Sequence, residues 1–113
     1  MRNPPWHRDE IVLALDLYYR LDSGNMNSDN PELIKLSQEL NQLSLHPIRP
    51  DKKKFRNANG VNLKLGNFKY FDPDYTGVGL RGGSKLDKAV FQEFYGKREL
   101  LKLAAQEIRR SFR

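Results

Sequence analysis

Two histidines, a pair of aspartates around a proline and one glycine-rich run are the residues whose types could do chemistry. His7 and His46 lie in different segments, and neither has a metal-ligand partner at recognisable spacing, so surface or capping roles are expected. Asp72 and Asp74 flank Pro73, where aspartate serves backbone hydrogen bonding in a turn. "GVGLRGG" lacks the Lys-Ser/Thr ending of a phosphate-cradling loop. A His-Asn-His nuclease centre would need a histidine base and metal ligands, and nothing supplies them. The chain reads as non-catalytic, with no metal and no cofactor.

Binding chemistry is better supplied. Net charge is +6, and residues 51–113 hold fifteen Lys/Arg against seven Asp/Glu, whereas residues 1–50 hold five against seven. From Arg49 to Lys69 seven basic residues face only Asp51. Such local excess suits phosphate neutralisation, though charge alone fits a basic surface equally. Within "KKKFRNANGVNLKLGNF", a helix would place Asn57, Gly60, Lys64 and Asn67 in one polar stripe, with Asn62, Gly66 and Lys69 round the other side. Asparagine can contact an adenine edge, lysine a guanine or a phosphate, and glycine admits a close backbone. Lys52, Lys53, Lys54 and Arg56 precede that helix, where free N–H groups also favour anions. A solvated face with structural glycines fits the same stripe. The expected DNA contacts are therefore Lys52, Lys53, Lys54, Arg56, Asn57, Asn59, Lys64, Asn67 and Lys69, with Arg81 and Lys85 reaching a neighbouring backbone.

Positioning these residues requires helices. "WHRDEIVLALDLYYRL" carries Ile11, Leu15 and Tyr18 on one stripe, near Ala14 and Leu21, and opens with Asp9 and Glu10. Asn30 caps a second helix with Pro31 in its first turn and Leu33, Leu36, Leu40 and Leu43 on one side. "HPIRPDKKK" is a connector, its prolines barring a helix. "VNLKL" alternates as a strand would, but Val61, Leu65 and Phe68 also recur at helical spacing, and a helix from about Asn59 to Tyr70 is expected, stopped by "FDPDYTG". "YTGVGLRGGSK" should be a flexible basic loop. Ser84 caps a fourth helix with Leu86, Val90 and Phe94 inward and Gly96 ending it. A fifth turns Leu100, Leu101, Ala104 and Ile108 inward, with Arg109 and Arg110 at its negative end. The expected class is all-α, with about five helices.

The 113 residues suffice for one domain and one modest core. Without cysteine, neither disulfides nor thiolate zinc sites can form. No apolar run reaches membrane-spanning length and no signal-peptide pattern opens the chain, so the cytoplasm is the expected compartment.

An early tryptophan opens the first helix, a leucine-striped second follows, and basic "FRNANGV" enters the third. This looks like the tri-helical Myb or helix-turn-helix plan, whose third helix reads the major groove. The ordered set "WHRDEIVLALDLYYR", "ELIKLSQELN", "FRNANGVNLKLGNFKYFDPDYTGVGL" and "EFYGKRELLKLAAQEIR" resembles the N-terminal head domain of bacterial HNH restriction endonucleases of the McrA type, the ScoMcrA-like proteins. The resemblance spans nearly the whole chain and is most specific from Phe55 to Leu80. It implies a non-catalytic module of a modification-dependent, type IV defence enzyme, placed ahead of a modified-DNA reader, an HNH nuclease, or both. The signature positions are Arg56, Asn57, Gly60, Val61, Lys64, Leu65, Asn67 and Phe68; the core takes Val61, Leu65 and Phe68, and DNA takes Arg56, Asn57, Lys64 and Asn67. The chain ends at Arg113 with no nuclease, so it is expected to be an excised domain or a stand-alone relative without cleavage activity.

The expected partner is double-stranded DNA, modified or not. The alternative is an interaction or homodimerisation domain using Leu63, Tyr70 and the last helix. A small enzyme is a third class, for which no acid, base or metal site converges.

Overall fold

The computed structural model describes residues 2–112. They form five α-helices, α1 (Arg8–Arg20), α2 (Pro31–Gln42), α3 (Ala58–Phe71), α4 (Lys85–Phe94) and α5 (Arg98–Ser111), with a 3-10 turn at Ser23–Asn25 and no strand among the described residues. The class is all-α, as the periodicities indicate.

Helix α1 is the axis around which the others assemble, packing against all four. Its sequence suggested one apolar stripe, but every residue from Glu10 to Tyr18 is buried. A helix covered on all sides has no solvent face to give to polar residues. Its N-terminus is a capping box made by a histidine: His7 accepts from the Asp9 N–H while Glu10 accepts from the His7 N–H.

Helix α2 matches its sequence reading. Asn30 accepts from the Glu32 and Leu33 N–H groups, Pro31 fills the first turn, and Leu33, Leu36, Leu40 and Leu43 are buried. Arg49 closes the other end, donating to the carbonyls of Asn41, Leu43 and His46. Helix α3 buries Val61, Leu65 and Phe68 as expected, and α1, α2 and α3 each pack on the other two.

The last two helices keep most of their expected inward residues, with Val90, Phe94 and Leu101 buried and Ala104 and Ile108 packed against the core, but Leu86 and Leu100 lie outside. In α4 the buried residues are Asp87, Val90, Phe91 and Phe94, and Leu86 is exposed. In α5 only Leu101 and Ala105 are fully buried, while Leu100 and Leu103 face outward, 53% and 60% exposed. Phe91 explains why Leu86 is left out: it stacks with Phe68 and Tyr19 and tilts against Phe71, a cluster that outweighs burial of Leu86. Gly96 has a left-handed backbone (φ 72°), the usual glycine exit just past a helix end.

The glycine-rich run is no free loop. Residues 75–83 form a strap laid across α3. Leu80 pins it, donating its N–H to the Gly66 carbonyl while its own carbonyl accepts from Asn67 Nδ2, each at 2.9 Å. A Cβ on Gly79 would collide with the backbone N and Cα of Tyr70 and stand 2.7 Å from the Lys69 carbonyl carbon. Glycine is needed there for close approach. Gly79→Ala is expected to lift the strap and cost about 1 to 3 kcal/mol, as overpacking against immovable backbone does. Urea unfolding would measure it, and a loss below about 0.5 kcal/mol would show that the strap is not seated as described.

Candidate nucleic-acid interface

The segment before α3 is an ordered turn. Asp51 holds it, accepting from the Lys54 N–H through Oδ1, while Asn3 bonds the Asp51 backbone from both sides. The acid that could have neutralised the lysines is thus part of their scaffold. Phe55 points inward beneath the Arg49 and Arg56 guanidinium groups, at 4.2 and 4.4 Å from its ring centre. Lys52, Lys53 and Lys54 are left on the surface.

Arg56 does not face solvent. It lies in the left-handed region (φ 46°), which costs a non-glycine residue about 1 to 3 kcal/mol. Its guanidinium is buried against Glu10, with Nε to Oε2 at 2.7 Å and Nη2 to Oε1 at 3.1 Å, and it also donates to the Pro4 and Pro5 carbonyls. His46 Nε2 stands 2.7 Å from Glu10 Oε1. Trp6 covers the group, its ring 5.0 Å from Arg56 Cζ and 5.0 Å from Lys64 Nζ. The Arg56 carbonyl accepts from Ser37 Oγ at 2.7 Å, joining the turn to α2.

Glu10 is fully buried, and burial pushes its carboxyl up. The hydrogen bonds from Arg56, the His7 N–H and His46 outweigh that and hold it below the usual carboxylate range. A carboxyl depressed in the folded state contributes stability that is present above its unfolded value, about 4.3, and lost as pH falls through the folded one. Unfolding free energy is therefore expected to drop as pH is taken below about 4, and Glu10→Gln to flatten that acid limb. An acid limb of unchanged slope in Glu10→Gln would contradict the assignment.

Three further expected DNA contacts are also employed internally. Asn57 is the N-cap of α3, its side chain accepting from the Gly60 N–H at 2.8 Å. Lys64 reaches Asp87 of α4, with Nζ to Oδ2 at 2.8 Å; its side chain is 12% exposed and that of Asp87 is 0%. Asn67 is buried and clamps the strap. The stripe Arg56–Asn57–Lys64–Asn67 therefore faces the N-terminal segment, α4 and the strap, and is not open to a duplex. The physical reason is that three of them have distant partners, Glu10, Asp87 and the Leu80 carbonyl for Arg56, Lys64 and Asn67 respectively, while Asn57 is taken up by the helix cap.

The opposite side of α3 is the open one. Asn59, Leu63 and Tyr70 are exposed there, with Asn62, Gly66 and Lys69 half-buried between them. A shallow depression of about 290 Å³ is lined by Asn62, Leu63, Gly66, Lys69, Val78 and Leu80, among others. Arg81 lies over Tyr70 and Lys69 over Tyr75, so rings hold both cations at the strap. Lys85 is exposed at the start of α4. Among the described residues, Lys52, Lys53, Lys54, Lys69, Arg81 and Lys85 form no ion pair.

Elsewhere the surface offers less. The cleft between α1, α2 and α5, about 590 Å³, is lined by charges, and its Arg20 and Arg109 are tied to Asp16, Glu32 and Glu39. Asp72 and Asp74 serve the turn: Asp72 accepts from the Asp74 N–H and Tyr18, and Asp74 from Tyr95. No group of three His, Cys, Asp or Glu able to hold a metal occurs among the described residues, and none of their helices is long and apolar enough to cross a membrane. Compared with protein-family models, curated proteins and solved structures, the chain shows no match.

Proposed function

We propose that this chain is a non-catalytic double-stranded-DNA-binding module, its first three helices acting as a helix-turn-helix-like unit that presents the outer face of α3. One observation carries the reading. Three adjacent lysines without ion-pair partners stand on an ordered turn at the N-terminal end of α3, and the outward face of that helix keeps Asn59, Leu63 and Tyr70 exposed beside the strap. A 14-residue helix is about 21 Å long, so Lys52–Lys54 at one end and Lys69 with Arg81 at the other could bracket a groove. The resemblance to head domains of McrA-type endonucleases supports placing the module in a bacterial defence enzyme, in the cytoplasm, where incoming DNA is cut.

The test is a duplex titration at several salt concentrations. Wild type is expected to bind at micromolar strength or weaker, with steep salt dependence. The triple variant Lys52→Gln, Lys53→Gln, Lys54→Gln should bind at least tenfold more weakly at low salt, with the slope of log K against log salt reduced by roughly 2 to 3. Its melting temperature should match wild type, because all three side chains are exposed and unpaired. Identical titrations of the two proteins would overturn the reading.

A second reading, self-association, is favoured by α5, where Leu100 and Leu103 stand open beside Phe94 and Ala104. Sedimentation over a concentration series separates the two: a dimer without duplex affinity at low salt supports self-association alone.

A further inference from the structure

The unpaired lysines account only for sequence-blind attraction, since phosphate contacts carry no base information. The stripe between them is of another kind. It contains no arginine, the residue that most often reads guanine, and the one arginine at the start of α3 is locked onto Glu10. It offers two outward amides, Asn59 and Asn62, one turn apart. Directly beside them stand apolar side chains left open to solvent to different extents: Leu63 at 47% exposed, Leu80 at 42% and Val78 at 95%. Val78 is not a wandering loop tip, because Gly79 next to it lies against the α3 backbone and Leu80 is hydrogen-bonded to α3 through both its N–H and its carbonyl.

An amide next to a fixed apolar surface is the donor set that one kind of base pair takes. Adenine presents an acceptor and a donor in the major groove, which an asparagine amide meets with two hydrogen bonds, and its thymine partner presents a methyl group. We infer that the outer face of α3 reads A·T pairs in the major groove, with Asn59 and Asn62 on adenine edges and Leu63, flanked by Val78 and Leu80, against the thymine methyl. Lys69, on the rim of the same depression, then meets the adjacent phosphate. This rests on the DNA-binding reading above and adds a base preference to it.

Three duplexes of about 16 base pairs test it: one A·T-rich, the same sequence with uracil for thymine, and one of G·C pairs only. Wild type is expected to prefer the thymine duplex over G·C by about tenfold, and over the uracil duplex, which lacks only the methyl groups, by about threefold. Leu63→Ser is an exposed substitution that should keep the fold and the salt slope, while the ratio of thymine-duplex to uracil-duplex affinity falls to about one. Equal binding of wild type to all three duplexes with a full salt slope overturns the base reading and leaves DNA binding standing. No binding to any of them at low salt overturns both.

Discussion

An Arg56→Met chain is expected to lose about 3 to 5 kcal/mol of folding free energy, the usual consequence of leaving a buried charge without its partner. The partner is Glu10, fully buried, whose two oxygens otherwise receive the guanidinium. The loss also releases Pro4, Pro5 and Trp6, which lie against the same group. For a domain of this size that is a large fraction of total stability. Urea unfolding gives the number. The double variant Glu10→Gln, Arg56→Met identifies the cause: a neutral amide needs no cation, so much of the loss should return. A single variant that unfolds within about 0.5 kcal/mol of wild type would mean that Arg56 is a surface cation after all.

Lys64→Ala is the second large effect, expected at about 3 kcal/mol. Asp87 is completely buried, and one of its oxygens, Oδ1, has no hydrogen-bond partner. The other takes Lys64 and the Ser84 N–H, so removing the lysine leaves a carboxylate inside the fold with one backbone donor. Lys53→Ala, two positions into the exposed run, should change stability by less than about 0.5 kcal/mol. The pair of variants therefore separates the architectural lysine from the surface one. Duplex affinity per folded molecule should move in the opposite order, with Lys53→Ala the weaker binder. Equal stability of the two variants would contradict the placement of Lys64.

These two side chains also mark where the sequence stops being readable. The helices announce themselves locally: Asn30–Pro31 and Ser84 with Asp87 are cap signals contained within a few residues, and the leucine stripe of α2 has a single solution. The helix over α3 is legible in the same way, and so is its buried side of Val61, Leu65 and Phe68. What is not legible is which of its two polar flanks meets solvent. The flank bearing Arg56, Lys64 and Asn67 is turned inward by Glu10, 46 residues away, Asp87, 23 away, and Leu80, 13 away. No short-range pattern encodes a contact between segments so far apart. The strap shows the same limit. Its glycines read as flexibility, yet Gly79 is there because a bare Cα lies against a helix backbone. In α4 the apolar pattern permits more than one rotation, and the aromatic cluster around Phe91 selects the one that leaves Leu86 outside.

The distinction between an architectural flank and an open one can be read directly from amide chemical shifts of the isotopically labelled chain, titrated at low salt with a short A·T-rich duplex. Perturbations are expected at residues 52–54, at Asn59, Asn62, Leu63, Gly66 and Lys69, and along residues 78–81, with α5 silent. Shifts gathered on Leu100 and Leu103, or none at saturating duplex, would contradict a DNA-reading face on α3.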